Sequence, residues 1–519
     1  MKLFSVIGYL SFFSLLFTLS CNTQSEGEKL AQTYCGSCHL FPEPTLLDKS
    51  TWEKNILPIM AQQLGLQIVN GEAYPDIQKD ANNKYTSKSA ISVDDWDKIV
   101  AYYKDSAPEK LPSQAREPIS AISDLFTVKP ISIPKSSFPS VTCIKIDAGN
   151  QQIYVASDAL LSIYDKNLSP ILSQKIKETI VNINFENDLQ KAGNRQGFLT
   201  NIGILNPNDL TTGTLHPFSF AGKGRFTQNA PLLDSLPRPV QSNAVDLDKD
   251  GLIDQLICGY GNKTGALFWY CNKGNNIHEK KIIREFPGAI KAYIDDVNND
   301  GLPDIWVLFA QAQEGIFLFT NKGKGAEGVP SGGVPSGGVS HFDEKEILRF
   351  SPVHGSSYFE MTDLNNDGFK DILYTSGDNA DYSTHLLKNF HGVYGYLNDG
   401  KNGFKQQFFF PIHGCFKAIA RDFDKDGDID IATISYFPDI KNQPKEAFVY
   451  LENKGNLSFK PFTIKEANAG NWLVMDANDI DGDGDEDIVL GNFDRVKRQS
   501  RNSSAKDTSV LVLVNRLRL

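Results

Sequence analysis

Two thiols set three positions apart and followed at once by an imidazole, Cys35-Gly36-Ser37-Cys38-His39, can carry out one piece of chemistry that few other spacings allow. The sulfurs can add across the two vinyl groups of a porphyrin while the ring nitrogen reaches its iron from below, so the pentapeptide predicts one covalent haem c. A redox Cys-x-x-Cys or a zinc site is the alternative. No second Cys-x-x-Cys and no nearby histidine pair completes four zinc ligands. Oxygen carries the second chemistry. The pattern Asp-x-[Asp/Asn]-x-Asp-Gly-x-x-Asp occurs five times: at Asp246, Asp248, Asp250 and Asp254; at Asp296, Asn298, Asp300 and Asp304; at Asp363, Asn365, Asp367 and Asp371; at Asp422, Asp424, Asp426 and Asp430; and at Asp479, Asp481, Asp483 and Asp487. Oxygens at positions 1, 3, 5 and 9 with a carbonyl from position 7 can wrap a hard cation, and the glycine at position 6 permits the sharp turn. Up to five calcium ions are expected. An EF-hand would need Glu at position 12 and a following helix; here position 9 opens β-rich runs such as Ile305-Trp306-Val307.

The haem motif needs helices to hold it. Gly27 to Tyr34 are good helix formers leading into it, and Val93-Asp94-Asp95-Trp96 opens a further helix whose apolar face is Trp96, Ile99, Val100 and Tyr103. This stretch resembles short class I c-type cytochromes, in which a Trp-centred helix leads to the distal Met ligand. The matching run is Thr51 to Met60, so the resemblance implies Met60 as the axial ligand opposite His39. The other reading of Met60 is a filler of core space. Met60 is the one methionine in the segment, and a thioether opposite His39 closes the iron's coordination shell, which suits electron transfer.

The acid loops sit in a larger repeat. Apolar strands ending in Asn-x-Gly follow each of the first four, at Asn272, Asn321, Asn398 and Asn453, and a fifth run from Val510 reaches Asn515. A strand, a tight turn and a further strand at blade-length spacing describe a propeller of antiparallel meanders. Five such blades, with about two metal-free ones before Pro239, predict seven. The chain resembles FG-GAP/VCBS-type repeat propellers, and specifically bacterial exported proteins that join such a propeller to an N-terminal c-type cytochrome. The resemblance implies calcium in the acid loops and binding or redox roles outside the cell.

The expected architecture is therefore multidomain: a small all-α cytochrome c domain over 22–112, a linker over 113–137, and an all-β propeller over 138–519. Before them, Lys2 and an apolar run from Leu3 to Leu19 read as a signal peptide, and Ser20-Cys21 looks like a bacterial lipobox, with Cys21 lipidated. An uncleaved anchor or plain secretion are the alternatives, and all place the body outside the cytoplasm. The expected location is the cell envelope, at the periplasmic or surface side of the outer membrane. With 519 residues, 40% hydrophobic, the chain is long enough for more than one core, and a net charge of −11 argues against nucleic acid. Cys143, Cys258, Cys271 and Cys415 read as buried small hydrophobes, with a Cys258–Cys271 pair conceivable. Asp378 to Tyr382, His385, Lys388, His391 and His413 form a polar cluster that could be a substrate site or ordinary loop structure. Three functions follow: haem electron transfer to a redox partner, with the propeller binding a protein or glycan; a propeller oxidoreductase feeding the haem; or an adhesion scaffold. No catalytic constellation or nucleotide-binding glycine fingerprint favours the second.

Overall fold

Five six-residue strands that begin at position 9 of the acid loops, such as Asp254–Gly259 and Asp430–Ser435, are buried at every residue. Such short continuous apolar runs fit strands covered on both faces, and here neighbouring sheets cover them. The computed structural model describes residues 24–79, 85–87, 89–114, 116, 118–119, 121–133, 139–157, 160–186, 194–221, 224–261, 263–323, 341–380, 382, 386–494 and 508–517. Among them, seven antiparallel sheets form a seven-bladed β-propeller, six with four strands and one with five. The signal peptide and Cys21 lie outside the described residues, as does His385.

The first strands of the blades are Val141–Asp147, Ile180–Phe185, Pro239–Val245, Ala289–Asp295, Ser356–Thr362, Cys415–Arg421 and Trp472–Asn478. Each touches the first strand of the next blade, and the seventh touches the first, so these strands form the closed inner ring. Every one carries a register shift against its second strand one or two residues from its start, for instance between Ala289 and Lys291. A bulge there adds twist where seven strands must crowd around one axis.

The outermost strand of the seventh blade is Phe126–Ile131, paired antiparallel with Val510–Asn515. This corrects the expected boundaries: residues 126–131, read as linker, close the ring. The exposed Lys129 and Pro130 suit an edge position.

The expected separate all-α cytochrome domain is also corrected. Residues 24–112 hold a helix at Glu26–Cys35, a second that runs from Lys49–Thr51 through a π-helical turn at Trp52–Ile56 into Leu57–Gln63, and a third at Val93–Ser106. Between them stand two hairpins, Leu66–Val69 with Glu72–Pro75 and Ile77–Lys79 with Tyr85–Ser87. Asn70-Gly71 makes the first turn, with φ of 53° and 86°, a two-residue hairpin signal that the helical reading passed over. The core of this segment, built on Trp52, Trp96, Ile99 and Tyr103, also takes in Val353, Leu386 and Phe390 of the propeller. It is a mixed segment fastened to the fifth blade, in a molecule that is nearly all β.

Candidate functional site

The first helix is capped by Ser25, whose Oγ accepts from Glu28 N at 3.1 Å, and it ends on Cys35. Gly27 lets it cross the third helix, since a Cβ there would run into the Lys98 carbonyl. Ser92 Oγ caps that third helix, accepting from Asp95 N at 3.0 Å, and Trp96, Ile99 and Tyr103 are buried as the spacing predicts. Cys35 is buried, and burial pushes its thiol up to about 11; Cys38 is exposed, and both thiols are free. His39 Nδ1 lies 3.0 Å from the Leu40 carbonyl, a contact that fits Nδ1–H donating and leaves the Nε2 lone pair for a metal. Burial and the charge of Arg349 hold this imidazole below its usual pKa, which favours the neutral, metal-binding form. Two free thiols and a neutral imidazole are the donor set that covalent haem requires. Met60 is half-buried and packs against the core of the same segment.

Propeller loops hold the N-terminal segment in place. Gln313 Nε2 reaches the Cys38 carbonyl at 3.5 Å, Gln114 Nε2 donates to Asn389 O at 2.6 Å, and Arg116 pairs with the fully buried Glu446. All of these contacts involve loops between second and third strands. Val353 lies between the fourth and fifth blades, on the same side. The acid loops join first to second strands, so the Cys-x-x-Cys-His segment stands on the opposite face from them. The polar cluster around Lys388, for which a substrate site and ordinary loop structure were both open, belongs to this junction. Lys388, His391 and His413 are buried, and Lys388 Nζ donates to Val353 O at 2.9 Å.

Each acid loop is built alike. The position-1 carboxylate accepts from the glycine N–H at position 6 at 2.8–3.1 Å, and that glycine takes φ between 83° and 95°, which a side chain would resist. Carboxylate oxygens of Asp246, Asp248 and Asp250 lie within 4.8 Å of one another, as do those of Asp422, Asp424 and Asp430, and of Asp479, Asp481 and Asp483. Asn298 and Asn365 supply an amide oxygen in the remaining two loops.

The structure gives position 9 a duty that spacing alone did not reveal. Asp254, Asp304, Asp371, Asp430 and Asp487 are wholly buried, and each accepts two backbone N–H groups. One comes from position 2 of the same loop at 2.9–3.3 Å. The other comes from the Asn of the Asn-x-Gly turn, or Asn515, at 2.7–2.8 Å. That asparagine returns its side-chain Nδ2 to the position-8 carbonyl. Position 9 is thus a bolt between two turns, and burial pushes Asp430 up to about 7 and Asp487 to about 6.

Asp422 Oδ1 and Asp481 Oδ1 are buried without a hydrogen-bond partner among the described residues, an arrangement a bound cation satisfies. The donor set fits calcium. Adding EGTA should therefore lower the thermal midpoint by several degrees, with excess Ca2+ but not Mg2+ restoring it. An unchanged midpoint in scanning calorimetry would remove metal from these loops. Cys258 and Cys271 are buried and free, so the conceivable pair is not formed; Cys271 Sγ instead lies 3.6 Å from Asp248 Oδ2.

The family model of the FG-GAP-like repeat matches residues 246–307, 363–433 and 422–490, which take in all five acid loops. The propeller carries FG-GAP-like repeats. Among solved structures, a crystal of BBS1N in complex with ARL6DN soaked with mercury is 8% identical, with 75% of this chain and 96% of that chain covered and a TM-score of 0.41. A lead-soaked crystal of the same complex is 9% identical, with 76% and 97% covered and a TM-score of 0.42. No curated protein matches the chain. The FG-GAP-like blades leave the Cys-x-x-Cys-His segment outside the family match.

Proposed function

We propose that this chain is an exported electron-transfer protein: Cys35 and Cys38 would anchor one haem c, His39 and Met60 would hold its iron, and the FG-GAP-like propeller binds a partner protein or glycan. The observation that carries the redox half is the Cys35-x-x-Cys38-His39 run at the end of a capped helix, with His39 Nδ1 against Leu40 O so that Nε2 is left for a metal. Bound there, the haem would supply a one-electron couple. The chain's part is to fix His39 through Leu40 O and to close the surroundings with Trp52, Trp96 and Tyr103. The binding half rests on the propeller, a scaffold whose loops gather at two faces, with calcium stiffening one of them. The export reading places a lipid on Cys21 and the body in the bacterial cell envelope, facing a redox partner protein on the periplasmic or surface side. Among the described residues no helix is long and apolar enough to cross a membrane.

An optical spectrum tests the haem directly. Protein made with haem-maturation machinery should keep its absorbance after acid–acetone extraction, lose it in Cys35→Ser/Cys38→Ser, and show a far-red sulfur-to-iron band that disappears in Met60→Ala. A far-red band that survives Met60→Ala would transfer the sixth position to another residue. Failure of the wild type to retain haem would leave a binding scaffold without redox chemistry.

A further inference from the structure

The inner ring presents alternate residues of its seven first strands to the central channel, and most of the long polar ones are tied to the next blade. Asn184 donates to Ser242 O. Gln241 bonds both the N–H and the carbonyl of Ala292, at 2.7 and 3.2 Å. Glu360 accepts from Ala420 N at 2.9 Å, Lys417 donates to Met475 O at 2.6 Å, and Asp476 accepts from Ile146 N at 2.8 Å. These side chains act as cross-blade fasteners. Lys291 breaks the pattern. It makes no hydrogen bond or ion pair among the described residues, and its ammonium stands 4.8 Å from the ring centre of Tyr293 and 5.5 Å from that of Tyr358.

Charge around it is uneven. Arg421 is bound to Glu360 at 2.8 Å and Lys145 lies 3.7 Å from Asp476, so both carboxylates of this part of the channel are already engaged. Lys291 and Lys417 are left without a carboxylate at ion-pair distance. Both approach Tyr358, Lys417 at 4.8 Å from its ring centre, and the Tyr293 and Tyr358 hydroxyls are 3.2 Å apart. Both lysines are half-buried, and each is the third residue of its strand, toward the face that carries the Cys-x-x-Cys-His segment. Glu360 and Asp476 offset only part of the repulsion among Lys291, Lys417 and Lys145, so an added counter-charge would be favourable here. Burial, then the charges of Lys417 and Lys145, lower Lys291 to about 8, the direction an unpaired interior ammonium takes.

We propose that the channel is a binding site for a small oxyanion, a carboxylate or a phosphate, held by Lys291 and Lys417 with one hydroxyl of the Tyr293–Tyr358 pair as a further donor. An ammonium pair of this kind recognises the charge, and the phenol fixes the orientation. Nothing in this site depends on haem or calcium.

Calorimetric titration of the full mature chain with inorganic phosphate and, separately, with succinate at constant ionic strength tests it. At least one probe should saturate near one per chain, and the probe that does so assigns the headgroup. Lys291→Met, which keeps the aliphatic stem against the tyrosine rings, should weaken binding tenfold or more, and Lys417→Gln should weaken it as well. Far-UV circular dichroism and the thermal midpoint establish that each variant is folded; Lys291→Met should be as stable as the wild type or more so, since it removes an unpaired charge. The proposal is overturned if neither probe saturates the wild type, or if folded Lys291→Met binds as the wild type does.

Discussion

Asp430→Ala should lose about 3–5 kcal/mol of stability in urea or guanidinium unfolding, with little change in m. The carboxylate accepts Phe423 N at 3.3 Å, Asn453 N at 2.8 Å and the Tyr450 hydroxyl at 2.7 Å, all inside the sixth blade. Alanine leaves those donors buried and unmatched, at a cost of ~1–3 kcal/mol each, partly relieved where water enters. Asp430→Asn keeps one accepting oxygen and should lose about half as much. Measuring both in EGTA separates two duties of the same residue. A loss that persists without calcium belongs to the bolt between the turns, whereas a loss that vanishes would mean that Asp430 acts only through the metal.

Breaking the Arg116–Glu446 pair should be comparably damaging and should also free the N-terminal segment. Glu446 is fully buried and accepts from Asp439 N and, at 3.4 Å, from His413 N, so the arginine is its counter-charge in a loop of the sixth blade. Burial raises the Glu446 carboxyl, and Arg116 is the first influence opposing that rise. Arg116→Met strands the carboxylate, a change that costs about 3–5 kcal/mol for buried pairs. Limited proteolysis should then cut faster between residues 107 and 125, while Arg116→Met/Glu446→Gln recovers part of the loss. Equal cleavage rates in Arg116→Met and the wild type would mean that the apolar contacts of Val353, Leu386 and Phe390 hold the segment unaided.

The acid loops, the Asn-x-Gly turns and the seven-blade arithmetic were legible because each is local and repeated. What joins them was not. The bond between a position-9 aspartate and its asparagine spans 17 to 28 residues, and neither residue type announces the other. The first strands were misleading in a different way. Ala289-Ile-Lys-Ala-Tyr-Ile-Asp alternates like a strand with one wet face, and ring closure turns that face into the channel, which alternation alone does not announce. In the N-terminal segment the helices at 26–35 and 93–106 could be read from caps and periodicity. The first hairpin announced itself in Asn70-Gly71 and was passed over, whereas the docking onto Val353 and Phe390 could not be read, because those contacts cross about 300 residues of chain. Of the proposed haem site, the sequence supplied the motif at 35–39, and the structure adds Leu40 O beside His39 Nδ1 and Gln313 of the propeller beside Cys38.

The closing strand places a constraint on biogenesis. Thr127 bonds to Arg516 across 389 residues, and the seventh sheet lacks its outer edge until both ends of the propeller exist. Bringing such distant partners together is slow relative to forming any single blade. A chain emerging from a ribosome or a translocon therefore carries up to six assembled blades as an open arc, with two unsatisfied flanks, until its last strand arrives. Ring closure becomes the final, post-synthetic event, and a chain cut anywhere before Val510 would be left without it.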